Sequence, residues 1–440
     1  MRCQEEKFLS IAEVFEHAEE LVEESSPLYL RGWVYRIRSS GKIIFIVLRD
    51  RSGYIQATVF KGNVDSTSFK KASKLLVESS IKIKGKLGKD ERAPGGYEVQ
   101  VSEVEVVHAA EVFPITKDQS EEFLMENRHL WLRSRPLTTA FRIRSTLFQL
   151  FRKFFIEKGY YEIHAPIFQT GACEGGSTLF KVNYTKGVEV YLTQSWQLYA
   201  EAMIYSLEKI FVIAPTFRAE KSRTRRHVAE FWMGEVEAAW CGNREMMKIE
   251  EEMLYYLIQN LIEMHRKDIE FFGRDINFLK KIEPPFEIYK YEEILEILEK
   301  KGFSLEWGAN LGYKEEKVLT EDKEQPFFIT HFPREKGFYH KPDPEEPKAL
   351  LCHDLLAPEG YGEIIGGGER IWEKHLLIER LKENHMDLEN YSWYIDLRRF
   401  GSVPHAGFGL GMDRFLTWLI KTNHIKNVIP FPRTMRWYQP

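Results

Sequence analysis

Four arginines, a histidine and an aromatic ring stand close together between positions 217 and 237. They are Arg218, Arg223, Arg225, Arg226, His227 and Phe231. Apolar runs precede and follow the polar loop that carries most of them, which predicts an antiparallel hairpin. Guanidinium groups donate paired hydrogen bonds to phosphate, and a flat apolar ring can stack on a nucleobase. The segment therefore predicts a nucleoside triphosphate site; a charged hairpin that merely faces water is the alternative.

Two further motifs accompany this hairpin. A helix end, a short strand and a proline occupy 159–166, and a glycine-rich run at 407–411 leads into a helix that carries Arg414. In this order the three motifs resemble the signatures of class II aminoacyl-tRNA synthetases, in particular the aspartyl, asparaginyl and lysyl subgroup. The resemblance covers roughly residues 20–440 and implies an α+β catalytic domain built on an antiparallel sheet.

The resemblance implies roles in ATP binding. Arg218 would bridge the α-phosphate and the amino acid's carboxylate, and Arg414 would hold the γ-phosphate, so these two are the expected catalytic residues. Asp354 and Glu363 match the family's magnesium-binding pair, and oxygen ligands beside phosphates suit Mg²⁺, although two surface acids are the alternative. The remaining residues expected to bind ATP are Glu220, Arg226, His227, Phe231, Glu363 and Gly411.

The resemblance also implies an amino-acid pocket formed by Glu174, Gln197, Glu235 and Arg370. Aspartyl enzymes carry a lysine where this chain has Ala200, and an aspartate where it has Glu235. Without the lysine, the carboxylate of Glu235 would repel a second carboxylate on the ligand by up to about 4 kcal/mol at ~4 Å with an effective dielectric of ~20. A difference of ~1.4 kcal/mol already gives tenfold selectivity. The charges therefore favour asparagine, so ATP, L-asparagine and tRNA(Asn) are the expected substrates.

Three residues depart from the family pattern: Trp196, Glu369 and Asp413. We expect them to alter packing rather than activity. Glu369 could alter selectivity, because it adds an acid near the amino-acid pocket.

Residues 28–108 predict five short strands with a helix between the third and fourth. This is the order of an OB barrel, a fold that binds single-stranded nucleic acid. The segment carries 15 lysines and arginines against 8 acids, whereas the whole chain has a net charge of −4. Burial is the default for Phe45, but the resemblance implies that it stacks on an anticodon base and that Gln56 reads uridine.

We divide the chain into an anticodon-binding domain with an N-terminal extension (1–110), a hinge (111–136) and a catalytic domain (137–440). Apolar spacing predicts a helix from Thr138 or Thr139 to Lys158 and another over 243–267. The charged stretch 268–340 is expected to be peripheral. In the family the first motif lies at the dimer interface, which implies a homodimer with Pro166 at the contact.

A length of 440 residues suits two or three domains, and a hydrophobic fraction of 43% is enough for a large core. No apolar run approaches the ~20 residues of a membrane span, and the N-terminus has no signal-peptide core. The cysteines are scattered, which predicts reduced thiols in a cytoplasmic protein rather than disulfides or structural zinc. They are Cys3, Cys173, Cys241 and Cys352.

Three alternatives to asparagine–tRNA ligation remain open: an aspartyl-tRNA synthetase, a tRNA-independent asparagine synthetase, and a non-catalytic paralogue that binds tRNA. Relatives of the second kind lack the barrel expected at 28–108. Dead paralogues usually lose the phosphate-binding arginines, and this chain keeps Arg218 and Arg414.

Overall fold

The computed structural model describes residues 7–171, 178–185, 187–219 and 224–439. The chain divides into two compact units, Met1–Ser120 and Glu121–Pro440. In the described residues, no helix combines the length and the apolar character that a membrane span requires. The buried thiols of Cys241 and Cys352 are free, and Cys3 and Cys173 lie outside the described residues.

The first unit contains a closed five-stranded barrel. Its elements are α1 (Ile11–Glu16), α2 (Ala18–Glu24), β1 (Leu28–Ser40), β2 (Ile43–Arg49), β3 (Tyr54–Phe60), α3 (Ser66–Ala72), β4 (Ser80–Lys89) and β5 (Tyr97–His108). Neighbouring strands follow the order β1-β2-β3-β5-β4 around the barrel. The predicted OB barrel, with its helix between the third and fourth strands, is confirmed.

Alternation along β2 decides where Phe45 lies. Ile44, Ile46 and Leu48 are fully buried in the barrel core. Phe45 lies on the outer face, partly exposed, with the guanidinium carbon of Arg38 4.5 Å from its ring centroid. The general preference of phenylalanine for burial fails here, because the period of two along a strand gives the core positions to the three aliphatic side chains.

The second unit is built on a large sheet. Its strands are β6 (Tyr161–Glu162), β7 (Phe168–Gln169), β8 (Lys181–Thr185), β9 (Val188–Leu192), β10 (Lys209–Phe217), β11 (Glu230–Ala239), β12 (Glu287–Lys290), β13 (Phe327–Thr330), β14 (Cys352–Ala357), β15 (Gly362–Glu369) and β16 (His405–Gly411). Eight of them follow the order β12-β13-β14-β15-β16-β11-β10-β6, and β7, β9 and β8 form a small separate sheet. The outermost pairs of the large sheet are parallel and the inner pairs antiparallel, which confirms the predicted fold class.

The second unit also contains helices, some of which pack on this sheet. They are α4 (Glu121–Glu126), α5 (Arg128–Trp131), α6 (Arg135–Glu157), α7 (Gln197–Leu207), α8 (Asn243–Phe271), α9 (Ile276–Lys280), α10 (Tyr291–Lys300), α11 (Tyr313–Thr320), α12 (Lys374–Glu383), α13 (Ser392–Asp396) and α14 (Met412–Leu419). The long helices α6 and α8 pack on one face of the sheet, where Phe151 and Leu254 join Phe211 and Phe408 in one apolar core.

Helix α6 begins before its predicted cap. Ser134 occupies the N-cap position and Pro136 lies in the first turn, where its missing N–H costs nothing. The hydroxyl of Thr138 donates to the carbonyl of Ser134 at 3.1 Å, inside the helix. The prediction that the helix begins at Thr138 or Thr139 is therefore wrong, because Pro136 lies inside the first turn of the helix and not ahead of it.

The prediction that 268–340 is peripheral is also wrong. Strands β12 and β13 extend the large sheet, and every residue of β13 is buried. The charges misled the prediction because many of them lie on the outer faces of short helices whose other face is buried. In α10 they alternate at helical spacing with the buried residues Tyr291, Ile294 and Leu298.

Candidate active site

A cavity of about 860 Å³ lies on the face of the large sheet opposite α6 and α8. Alternation along β11 turns Met233, Glu235 and Glu237 toward the cavity. Gly234 faces the other way, where a Cβ would stand 2.6 Å from the ring of Phe151. The period of two along the strand thus places charged side chains on one face and apolar packing on the other.

The predicted hairpin is confirmed. Strands β10 and β11 pair antiparallel, with Phe217 opposite Glu230. Arg218 follows β10 directly, and its guanidinium carbon lies 5.5 Å from the ring centroid of Phe231. Both side chains, together with Arg414, line a smaller pocket of about 50 Å³ that shares several residues with the main cavity.

Arg414 is positioned by the junction between β16 and α14. Gly411 caps the helix, and a Cβ at this position would lie 3.5 Å from the side chain of Arg414. Nη1 of Arg414 donates to the carboxylate of Glu363 at 3.0 Å. On the same strand, a Cβ at Gly407 would stand 2.0 Å from Oε2 of Glu237. The glycines therefore allow charged side chains of neighbouring elements to approach the strand closely.

Glu316 and Lys336 are among the charged residues of the cavity that the sequence patterns did not single out. Glu316 of α11 binds the guanidinium of Arg226 through both carboxylate oxygens and accepts the N–H of Glu363 at 2.7 Å. Lys336 forms an ion pair with Asp354. Glu316 and Arg226 are 90 residues apart in the chain, so no local spacing rule predicts their contact.

Asp354 and Glu363 have opposite pKa shifts. Burial raises the pKa of Asp354 to about 6, because Lys336 offsets burial only in part and Glu363 adds like charge. Burial alone would also raise the pKa of Glu363, but Arg414, Lys336 and Arg226 outweigh it and hold that pKa at about 2. The cavity therefore keeps one carboxylate firmly ionised and makes ionisation of the second dependent on nearby positive charge.

The same two carboxylates fit a divalent cation. Oδ1 of Asp354 is buried and accepts no hydrogen bond from the described residues. A Cβ on Gly366 would lie 3.3 Å from this oxygen and 3.2 Å from Oε1 of Glu363, so both oxygens face one spot that the glycine leaves open. Carboxylate oxygens are ligands that Mg²⁺ takes together with waters and phosphates.

His227 lies in the cavity as a neutral side chain at pH 7. Burial, followed by the charges of Arg414 and Arg226, lowers the pKa of this imidazole to about 4. The positive charge of this part of the cavity therefore comes from the arginines and not from His227.

A second group of polar side chains lines the cavity around Glu235. Its Oε2 accepts the hydroxyl of Ser195 at 2.8 Å and the N–H of Trp196 at 2.9 Å. Glu237 binds Arg370 through both oxygens at 3.1 Å. Because all these groups are buried, the carboxylates and the guanidinium are held in fixed orientations.

Helix α7 carries Gln197 and Ala200 one turn apart, and both line the cavity. Residues three apart on a helix share a face. The position at which aspartyl enzymes have a lysine therefore presents a methyl group to the cavity beside Gln197.

The departures from the family pattern have structural explanations. Trp196 is buried against Val212 and Ala214. The buried carboxylate of Asp413 accepts Nε of Arg144 at 3.2 Å and the N–H of Trp232 at 3.0 Å. Trp196 therefore packs in the core, and Asp413 links α14 to α6 and β11.

Glu369 contacts Lys341 and the start of α8. Its carboxylate lies 3.5 Å from Nζ of Lys341 and accepts the N–H of Asn243 at 3.4 Å. Lys341 also lies 3.0 Å from the carboxylate of Glu373, so one lysine serves both acids.

Some predicted residues lie elsewhere. Glu174, Glu220 and Arg223 fall outside the described residues. Pro166 is exposed in the loop between β6 and β7, next to the exposed side chain of Ile167.

On the barrel of the first unit, Phe45 pairs with Thr58 and Gln56 with Val47 across β2 and β3. Nε2 of Gln56 donates to Oε2 of Glu98 at 3.0 Å. The amide of Gln56 is therefore oriented with its nitrogen toward Glu98.

Two family models match the chain. The model of class II tRNA synthetases (D, K and N) covers residues 120–435, and that of the OB-fold nucleic acid binding domain covers residues 28–107.

Similar proteins extend the match to nearly the full length. The asparagine–tRNA ligase of Thermoplasma acidophilum is 49% identical over 433 residues, which is 98% of this chain and 100% of that protein. That of Thermococcus gammatolerans is 48% identical over 93% of this chain and 95% of its own. The crystal structure of asparaginyl-tRNA synthetase from Pyrococcus horikoshii, complexed with asparaginyl-adenylate, superposes with a TM-score of 0.92 at 46% identity and covers 96% of this chain and 98% of that one.

Proposed function

The chain belongs to the class II tRNA synthetases of the D, K and N group, and we propose on that premise that it activates L-asparagine with ATP and transfers it to tRNA(Asn). The observation that carries this proposal is a single cavity in which Arg218, Arg226 and Arg414 meet two carboxylates, beside a pocket with Glu235 and a methyl group at Ala200. Arginines suit the triphosphate and the carboxylates suit its metal ion.

The reaction needs no side-chain nucleophile. In the first step the carboxylate of asparagine attacks the α-phosphorus of ATP, which forms asparaginyl-adenylate and releases pyrophosphate. In the second step a hydroxyl of the terminal adenosine of tRNA attacks the activated carbonyl and AMP leaves. Positioning of the reactants and neutralisation of developing negative charge supply the acceleration.

Arginines would bind the triphosphate from the loop between β10 and β11 and from α14. Arg218 would bridge the α-phosphate and the attacking carboxylate, and Phe231 beneath it would carry adenine. Nε of Arg226 is buried without a hydrogen-bond acceptor among the described residues, although both of its terminal nitrogens are bound to Glu316. This orphaned donor supports a role in binding the outer phosphates, with Arg414 on the γ-phosphate. His227 and Gly411 would complete the pocket, and we assign Glu220 to the same ligand.

Asp354 and Glu363 would hold Mg²⁺. When bound, the ion would neutralise charge on the phosphates. The unused oxygen of Asp354 and the space at Gly366 support this assignment. The side chain of Lys336 forms an ion pair with Asp354 and so places a positive charge of the protein itself next to this site.

We expect Asp354→Asn to raise the Mg²⁺ concentration needed for half-maximal ATP–pyrophosphate exchange by at least about tenfold, because a charged ligand is lost. The measurement is a magnesium titration of the exchange rate at saturating asparagine. Glu345→Gln, a change of an exposed acid nearby in the chain, is the matched control. An unchanged titration in Asp354→Asn would remove Asp354 from the metal site.

The barrel would bind the anticodon. The outward ring of Phe45 and the cation of Arg38 beside it suit a stacked base. Because the nitrogen of the Gln56 amide donates to Glu98, its carbonyl oxygen remains to accept a hydrogen bond, and uridine offers an N–H on its pairing edge.

Gln56→Ala should raise the KM for tRNA(Asn) by about tenfold and leave asparagine-dependent ATP–pyrophosphate exchange unchanged, because one hydrogen bond to the base is lost. Val107→Ala, exposed on β5, is the control. If Gln56→Ala instead impaired the exchange reaction, the proposed division of labour between the units would be wrong.

We also propose a homodimer with Pro166 at the contact and a cytoplasmic location. The exposure of Tyr161, Ile167 and Phe168 around Pro166 supports the first, because clustered apolar side chains favour association. Sedimentation equilibrium tests the dimer: a monomer at micromolar concentration would contradict it.

One charging experiment tests the proposed function as a whole. Asparagine and aspartate are each offered with tRNAs bearing GUU and GUC anticodons. We expect charging with asparagine on the GUU tRNA. Charging with aspartate would indicate an aspartyl enzyme, and asparagine formation from aspartate and ammonia without tRNA would indicate the synthetase alternative. Absence of asparagine-dependent exchange would indicate a non-catalytic protein.

A further inference from the structure

Behind Gln197 lies a buried polar cluster to which the proposed reaction gives no role. Its centre is Glu201, on α7 one turn from Gln197. Oε2 of Glu201 accepts the hydroxyl of Tyr394 at 2.6 Å and Nη2 of Arg398, and Nε2 of His405 lies 3.1 Å from the same oxygen. All four clustered side chains are fully buried. The carboxylate is therefore fixed by partners from α13 and the loop and strand that follow it.

The other oxygen of Glu201 determines the orientation of Gln197. Nε2 of Gln197 donates to Oε1 of Glu201 at 3.0 Å. An ionised carboxylate only accepts hydrogen bonds, so the amide nitrogen must face Glu201 and the amide oxygen must face away from it. Gln197 lines the cavity, where its oxygen can accept a hydrogen bond from a ligand.

We propose that Glu201 is a positioning residue that fixes the amide of Gln197 as an acceptor for the α-ammonium group of the amino acid. This rests on the proposed function. Glu201 acts through Gln197, because its own oxygens are engaged by the buried partners.

The charge of Glu201 is secured by its surroundings. Burial alone would raise the pKa of Glu201, but Arg398 and His405 outweigh burial and lower that pKa below its usual range. Glu201 therefore has no proton to donate to the amide oxygen of Gln197, so the amide cannot bind it in the reverse orientation. Glu201, Glu237 and His405 come close enough to hold a metal ion, but Arg398 and Arg370 already bind the two carboxylates, which disfavours a further cation.

The test compares asparagine with succinamate, which is asparagine without its α-ammonium group. In wild type, the KM for asparagine and the inhibition constant of succinamate are measured by ATP–pyrophosphate exchange. Glu201→Gln should raise the KM for asparagine by about tenfold, because Tyr394 and Arg398 hold the oxygen of the new amide, so its nitrogen faces Gln197 and no longer favours the orientation in which the oxygen of Gln197 faces the ligand. The inhibition constant of succinamate and the KM for ATP should remain unchanged.

A second variant guards against loss of folding, since Glu201→Gln leaves Arg398 buried without its counter-charge. Glu201→Gln combined with Arg398→Met removes both charges and should show the same selective loss of asparagine affinity. Tyr394→Phe is the matched control: it deletes a hydrogen bond to Oε2 and leaves Oε1 on Gln197, so both constants should stay near wild type. Equal weakening of asparagine and succinamate, or no weakening in either Glu201 variant, would overturn the proposal. A wild type without asparagine-dependent exchange would instead overturn the proposed function.

Discussion

Arg218→Ala is expected to lower asparagine-dependent ATP–pyrophosphate exchange by at least about a thousandfold, the range observed when a transition-state arginine is removed. The guanidinium stands directly after β10, at the edge of the pocket formed with Phe231 and Arg414. In the proposed reaction it contacts both the attacking carboxylate and the α-phosphate, so its loss removes positioning and charge neutralisation together. A neutral methyl group replaces neither.

Arg225→Ala is the appropriate control, because Arg225 lies on the same loop and is exposed. Its exchange rate should match wild type. Circular dichroism and a thermal unfolding curve should coincide for both variants, since the side chain of Arg218 lines the pocket and is not part of the apolar core. Near-normal exchange in Arg218→Ala would refute the assignment of Arg218 as a catalytic residue.

Much of the fold could be predicted because its signals are local. The apolar runs around positions 217–237 predicted a hairpin, and the glycine run before Arg414 predicted a strand that leads into a helix; the structure has both. Both patterns depend on neighbours in sequence, which hydrophobic period and glycine placement report directly.

The contacts in and behind the cavity are not local. Glu316 contacts Arg226 and Lys336 contacts Asp354 in the cavity, and behind it Arg398 contacts Glu201 nearly two hundred residues away. A charged residue that pairs inside a cavity has the same sequence appearance as one that faces water. Only the fold distinguishes the two, which is why 268–340 was expected to be peripheral although it supplies Glu316 and Lys336 to the site.

Glu235→Gln is expected to lower the preference for asparagine over aspartate, measured as the ratio of the two kcat/KM values, by about a hundredfold. The structure shows how the variant can retain its surroundings. The oxygen of a glutamine at 235 can accept the hydroxyl of Ser195 and the N–H of Trp196, as Oε2 of Glu235 does. The amide nitrogen then takes the place of the other oxygen.

The Glu235→Gln substitution alters the selectivity through charge. A carboxylate at position 235 repels the side-chain carboxylate of aspartate, by up to about 4 kcal/mol at ~4 Å with an effective dielectric of ~20. Solvent screening and desolvation reduce this figure, and the expected hundredfold corresponds to about 2.7 kcal/mol. An amide at 235 removes the repulsion and offers aspartate a donor, whereas asparagine loses the acceptor for its own NH₂ group. Ala200→Gly, which changes a cavity residue without altering charge, controls for shape. If Glu235→Gln kept the wild-type ratio, discrimination against aspartate would have to come from another group, such as the ion pair of Glu237 and Arg370 on the adjoining part of the cavity.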